Sequence, residues 1–203
     1  MPSVLVPAAR VERWVLNFNG RHGATALAVA DGALTGAAAD GSTFAARLPM
    51  AQRYAGLPDA AGFAAAGRDL PDDWGVLLVR KGGFAVARLT GDRLGQSKVG
   101  QRHVQGRTKA GGQSQQRFAR RRENQARQAY EAAADHAVRI LGTLRGPLVA
   151  GGDRAAVEEV LADPRLAGAT VVEPWLPVPD PRRAVLEQAV ADASSVRIEV
   201  TNA

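Results

Sequence analysis

Two β-rich runs, Trp74 to Arg80 (WGVLLVR) and Phe84 to Leu89 (FAVARL), are separated only by Lys81-Gly82-Gly83. So short a glycine-containing link between such runs is a hairpin signal, so the two are expected side by side and antiparallel. Gly91-Asp92 marks another turn, and Ser97 to Val104 reads as a third strand, completing an antiparallel meander. A long helix is expected next, about Ser114 to Leu141. Phe118, Ala126, Ala129, Tyr130, Ala133, Ala137, Ile140 and Leu141 fall along one side of it at helical spacing. Arg117, Arg120, Arg121 and Arg127 cluster on roughly the opposite side. At about 1.5 Å per residue this helix is on the order of 40 Å long. Gly142 and Gly146-Pro147 stop it.

The last third alternates. Leu148-Val149-Ala150 reads as a short buried strand, and Asp153 as the N-cap of a helix to about Ala162. Thr170 to Glu173 reads as a strand, Pro181 to Ala191 as a helix, and Val196 to Thr201 as a final strand. A meander followed by αβαβ predicts an α/β (α+β) fold with a mixed sheet flanked by helices, of ribonuclease H-like type. Upstream, Val11 to Phe18 and Ala24 to Ala30 read as strands bridged by Asn19-Gly20, and Thr43 to Leu48 as another. Pro49 to Asp73 is expected to be irregular or weakly helical. Residues 1–70 are therefore expected as an N-terminal extension packed on a main domain of residues 71–203, the two forming one compact unit.

Charge is distributed unevenly. Nine cations between Lys98 and Arg127 face one acid, Glu123, so that stretch carries +8 of a total of +6, leaving −2 elsewhere. A nearly neutral body with one basic limb implies a polyanionic partner, RNA or DNA first. With no cysteine, disulfides, thiolate catalysis and cysteine-ligated zinc are excluded. No apolar run approaches the roughly 18 residues of a membrane span, and Met1 to Arg10 lacks the pattern of a secretory signal. A cytoplasmic protein is expected.

The stretch Gly106 to Arg122, GRTKAGGQSQQRFARRR, falls between the meander and the long helix. Gly111 and Gly112, with Ala110 before them, make a tip without bulky side chains that accepts φ > 0. Arg107 and Lys109 approach the tip from one side, and Arg117, Arg120 and Arg121 support it from the other. Such a loop suits a phosphate-rich cavity. Cations hold backbone phosphates, the glycines let main chain approach closely, and an N–H near the tip can donate to a developing oxyanion or to attacking water. Lys98 and Arg102 extend the RNA-binding set. His103 is either an RNA contact or a packed strand residue. Gln113 is not a general base, because a neutral carboxamide has no useful basicity near neutral pH.

Other chemistries have less support. Trp74 to Leu89 contains no Asp or Glu, which argues against a metal-dependent nuclease. His22, His103 and His136 are too scattered for a metal site, and no cofactor or metal is expected. Ser42, Ser97 and Ser114 show no triad pattern. Gly151-Gly152-Asp153 is explained by a turn and an N-cap without a bound phosphate.

Gly111-Gly112-Gln113-Ser114 followed by Arg117-Phe118-Ala119-Arg120 resembles the middle domain of eukaryotic and archaeal class 1 release factors. Within that superfamily it looks closest to the Vms-like release factors, whose bacterial members occur in actinobacteria. The resemblance covers about Trp74 to Ala203. It includes Leu148-Val149-Ala150-Gly151 and, after a helix, Asp163-Pro164-Arg165-Leu166. It implies a release-factor middle-domain fold and a peptidyl-tRNA hydrolase acting through Gly111, Gly112 and Gln113. The Gln113 N–H would stabilise the transition state, and its side chain would shape a pocket that admits water and shuts out larger nucleophiles. The implied partners are the large ribosomal subunit, through its peptidyl transferase RNA, and peptidyl-tRNA, with the protein acting as a monomer. The chain is too short for the codon-reading and GTPase-binding domains of full-length factors, so rescue of stalled subunits is expected in place of codon-dependent termination. Eukaryotic Vms-like members vary the GGQ triplet and add zinc-finger and ankyrin-type modules. Here the triplet is intact and those modules are absent. A non-catalytic factor that merely occupies the peptidyl transferase centre is the alternative.

Overall fold

The computed structural model describes residues 3–81, 83–101, 128 and 130–203. They divide between two compact units, Met1–Leu70 with Val190–Ala203, and Pro71–Ala189.

The first unit is an antiparallel sheet with two helices. Its strands are β1 (Ser3–Val6), β2 (Thr25–Ala30), β3 (Ala33–Ala38), β4 (Thr43–Arg47) and β10 (Val196–Thr201), in the order β1-β10-β4-β3-β2. Helices α1 (Val11–His22) and α2 (Ala60–Arg68) supply Val11, Val15, Phe18, Phe63 and Ala64 to a core shared with Leu34, Phe44, Ala46, Val196 and Ile198. Residues 1–70 therefore share a core with the last strand of the chain.

Two expectations are corrected here, and a third is made specific. Val11 to Phe18 is helix, not strand. The buried positions 11, 15 and 18 recur at helical spacing, and Asn19-Gly20 lies inside the last turn, which closes at Gly23 (φ 88°) with its N–H on Asn19 O. Strand β3 has no counterpart in the expected elements. It is reached through Asp31-Gly32, both at positive φ (51° and 73°), the two-residue hairpin turn that such a dipeptide favours. Pro49 to Asp73 contains α2, capped by Asp59, whose carboxylate accepts from Gly62 N at 2.6 Å.

The second unit is the expected mixed sheet. Strands β5 (Trp74–Arg80), β6 (Gly83–Thr90) and β7 (Arg93–Gln101) form the meander, and β8 (Pro147–Gly152) and β9 (Thr170–Leu176) run parallel to β5, giving the order β7-β6-β5-β8-β9. This is the ribonuclease H-like arrangement. Every β5 residue except Arg80 is buried, which fits a central strand covered on both faces. The Trp74 indole donates to Gly91 O at 2.8 Å and so fastens the start of β5 to the β6–β7 turn. Helix α3 (residues 130–141 as described) lays Ala133, Ala137, Ile140 and Leu141 on Leu77, Val79, Phe84 and Val86, and α4 (Arg154–Leu161) adds Val157 and Val160 to the same core. Asp153 caps α4 as expected, accepting from Ala155 N at 3.2 Å. Helix α5 (Arg183–Ala193) places Arg183 against β7, where it donates to Ser97 Oγ at 3.2 Å.

The final strand departs from expectation. β10 pairs with β1 and β4, not with the mixed sheet. Its alternation explains why: Val196 and Ile198 are buried while Arg197 and Glu199 are only partly covered, a pattern made for a sheet with one dry face.

A carboxylate at the foot of β5 holds the end of α3. Arg88 Nε and Nη2 donate to Asp73 at 2.7 and 3.1 Å, Arg88 Nη1 donates to Thr143 Oγ1 at 2.8 Å, and Arg145 N donates to Asp73 at 2.8 Å. The Arg88 hydrogen bonds, and then the Arg145 N–H, hold the Asp73 carboxyl below its ordinary pKa against an opposing burial effect. A carboxylate lowered by folding contributes stability that is complete above its unfolded pKa and is lost as pH falls through the folded value. Asp73→Ala is expected to cost about 1.5–3 kcal/mol in urea unfolding at pH 7. The difference from wild type should narrow in acid; a constant difference down to pH 2 would rule this role out.

Candidate functional site

Lys98 is the one expected site residue among those described. Gly111, Gly112 and Gln113, together with Arg102, His103, Arg107, Lys109, Arg117, Arg120 and Arg121, lie outside the described residues. What the structure gives is the pair of roots between which that segment runs: β7, ending at Gln101, and α3.

Both roots meet on Phe84. In the β6–β7 register Gly83 faces Gln101 and Phe84 faces Gly100. The buried Phe84 ring lies over Gly100, on the space a side chain there would need. The same ring stacks with His136 of α3, centroids 5.4 Å apart and planes 27° from parallel. One aromatic ring thus joins the strand that leads into the segment and the helix that leads out of it. Beside it is a cleft of about 520 Å³ whose lining includes Arg80, Gln101, Gln128, Tyr130 and Glu131.

Lys98 is exposed on β7 opposite Val86, on the sheet face that carries α3. Burial lowers the His136 pKa most, the nearby charges of Arg139 and Lys98 lower it further, and Asp135 opposes them. Lys98 and Arg139 therefore both lie near His136, two cations beside an imidazole held towards its neutral form. The sequence gives no sign that Arg139 belongs with the basic block ending at Arg127. That adjacency exists only once α3 lies across β6 and β7.

His136 is expected to make the second unit pH-sensitive. A histidine whose folded pKa is lowered costs no stability above its unfolded value of about 6.5 and an increasing amount as pH falls below it. Stability should drop between pH 6.5 and 5.5, less so in His136→Gln, and an NMR titration should place His136 below the ordinary imidazole value. A midpoint at or above 6.5 would refute the assignment.

Among the described residues no three His, Asp or Glu side chains converge as a metal site. Their contribution at this end of the sheet is anchorage and positive charge.

Residues 72–199 match the family model of the Actinobacteria/chloroflexi VLRF1 release factor. The chain belongs to this family. The match spans both roots and the whole segment between them. It leaves out residues 1–71, so the family says nothing of β1 to β4, α1 or α2. No curated protein matches the chain. Pelota of Archaeoglobus fulgidus aligns over 92% of this chain and 60% of its own, at 12% identity and a TM-score of 0.29. The VLRF1 chain thus spans less than two thirds of that protein's length. No helix among the described residues is long and apolar enough to cross a membrane.

Proposed function

We propose that this VLRF1 release factor is a peptidyl-tRNA hydrolase that frees nascent chains from stalled large ribosomal subunits in the cytoplasm. The carrying observation is the sequence Gly111-Gly112-Gln113-Ser114 with Arg117-Phe118-Ala119-Arg120, inside a family-matched region and between two roots that share the Phe84 ring. In this reading the water oxygen attacks the ester carbonyl carbon, the carbonyl becomes an oxyanion, and the bond to the ribose oxygen breaks as that oxygen takes a proton. The Gln113 N–H donates to the developing charge, and its side chain leaves room for water alone. Lys98, Arg102, His103, Arg107, Lys109, Arg117, Arg120 and Arg121 hold the surrounding phosphates. Ribosomal RNA and tRNA supply the rest of the site.

Magnitudes permit a catalyst without acid, base or metal. Positioning removes roughly 7–11 kcal/mol of a barrier, and one oxyanion donor about 3–4 kcal/mol. The test is incubation of purified protein with large subunits bearing labelled peptidyl-tRNA. Release of peptide supports hydrolysis; stable binding without release would replace this reading with that of a non-catalytic occupant of the peptidyl transferase centre.

The arginines should behave as phosphate contacts. Arg117→Gln/Arg120→Gln/Arg121→Gln is expected to bind subunits much more weakly at 50 mM salt, with a deficit that shrinks towards 200 mM, because each lost contact flattens the salt slope by about 0.7–0.9. A slope equal to wild type would exclude that role.

A further inference from the structure

We infer that α1 carries a second RNA-binding surface, formed by Arg10, Arg13, Asn17 and Arg21 beside the groove between α1 and β1; this rests on the ribosomal role proposed above. At 3.6 residues per turn these four positions, from the residue that caps α1 to its last turn, fall within about a quarter of the helix circumference and extend along roughly 16 Å of its axis. All four are exposed, whereas Val11, Val15 and Phe18 face the core. Glu12, the acid of the first turn, projects from the far side.

Arg80, Arg88, Arg165, Arg183 and Arg197 each meet a carboxylate, but Arg10, Arg13 and Arg21 ion-pair with none among the described residues. Seven basic and seven acidic residues balance in residues 1–70 and 190–203, and three of the seven basic ones stand together on this stripe. The adjoining groove, about 610 Å³, has Leu5 and Pro7 on one wall and Arg10, Arg13, Trp14 and Asn17 on the other, with no acid in its lining. Trp14 is half-buried and fixed, stacked on Phe18 at 5.5 Å and edge-on to Phe44 at 5.1 Å. A rigid aromatic wall beside a row of unpaired cations and an amide suits a strand of RNA, with phosphates on the arginines and a base or ribose against the ring. A lipid surface would need several apolar residues to enter it beside the cations, but the helix offers one strongly exposed one, Leu16 at 69%, about 60° round the helix from Arg13 and about 140° from Arg21. An acidic peptide would use the cations and leave the ring without a role.

The test compares the full chain with Arg10→Gln/Arg13→Gln/Arg21→Gln, and with the triple lysine variant, for binding to large subunits at 50 and 200 mM salt. The glutamine variant is expected to lose on the order of tenfold in affinity at 50 mM, with its salt slope reduced by about 2. The lysine variant should keep the wild-type slope, and the peptide release rate at saturating protein should be the same in all three. Wild-type affinity and slope in the glutamine variant would overturn the inference and point to an acidic protein or lipid on this face. So would a loss of affinity with an unchanged slope. If wild type binds but releases no peptide while the glutamine variant still binds more weakly, the hydrolase reading falls and this surface stands.

Discussion

Gly112→Ala is expected to slow peptide release by about 100-fold while affinity for large subunits stays within about twofold of wild type. Gly112 has no charge to lose, so the phosphate contacts that set affinity are untouched. What changes is the approach of main chain to the ester. An added methyl at the tip restricts φ and holds the backbone away from the carbonyl, and a misplacement of about 1 Å costs on the order of 100-fold in rate. Gln113→Ala should also lose release, by a different route. Its N–H remains, but the pocket opens, so small nucleophiles such as hydroxylamine should compete with water better than in wild type. Single-turnover release at saturating protein separates these effects from binding. Parallel loss of affinity and rate in both variants would show that the triplet serves docking and would remove the catalytic assignment.

Much of the second unit is legible in the sequence because its strands announce themselves locally. Trp74 to Arg80 and Phe84 to Leu89 are mostly apolar runs bounded by turn residues, each with a single arginine, and Asp153 and Gly142 mark helix ends that appear where expected. The first unit is harder to read because its segments are short and rich in alanine. β3, with the sequence ALTGAA, has little strand propensity of its own, and its one clear signal is the Asp31-Gly32 turn before it. Val11 to Phe18 contains four apolar residues of strand type, Val11, Trp14, Val15 and Phe18, but only the spacing of the buried positions 11, 15 and 18 reveals the helix. The destination of β10 is a tertiary fact, since a strand about 150 residues beyond its neighbour β4 has no local means of declaring which sheet it joins; only the alternation of Val196 and Ile198 with charged neighbours hints at it. The candidate site divides in the same way. The GGQ triplet and its flanks can be recognised as residues, because backbone freedom and charge are properties of the residues themselves. His136 and Arg139 cannot, because their place beside Lys98 depends on α3 crossing the sheet.

Phe84 offers the test of that crossing. Phe84→Ala is expected to destabilise the second unit by about 3–4 kcal/mol, the usual cost of emptying a buried phenyl site. The effect should appear in hydrogen exchange of β6 and β7 amides as well as in urea unfolding. Gly100→Ala alone should cost about 1–3 kcal/mol, because its methyl overlaps the Phe84 ring and overpacking strains the core. Together the two changes should cost less than their sum, since the cavity left by the ring admits the methyl. Such coupling of roughly 1 kcal/mol or more is the signature of residues in direct contact. The double variant should therefore be more stable than the two single costs added together predict, yet still release peptide slowly, because no ring joins the strand before the GGQ segment to the helix after it. Simple additivity would mean that Phe84 does not cover Gly100 in solution. Wild-type release in Phe84→Ala, measured where the variant is fully folded, would show that the two roots need no shared anchor for the segment between them to act.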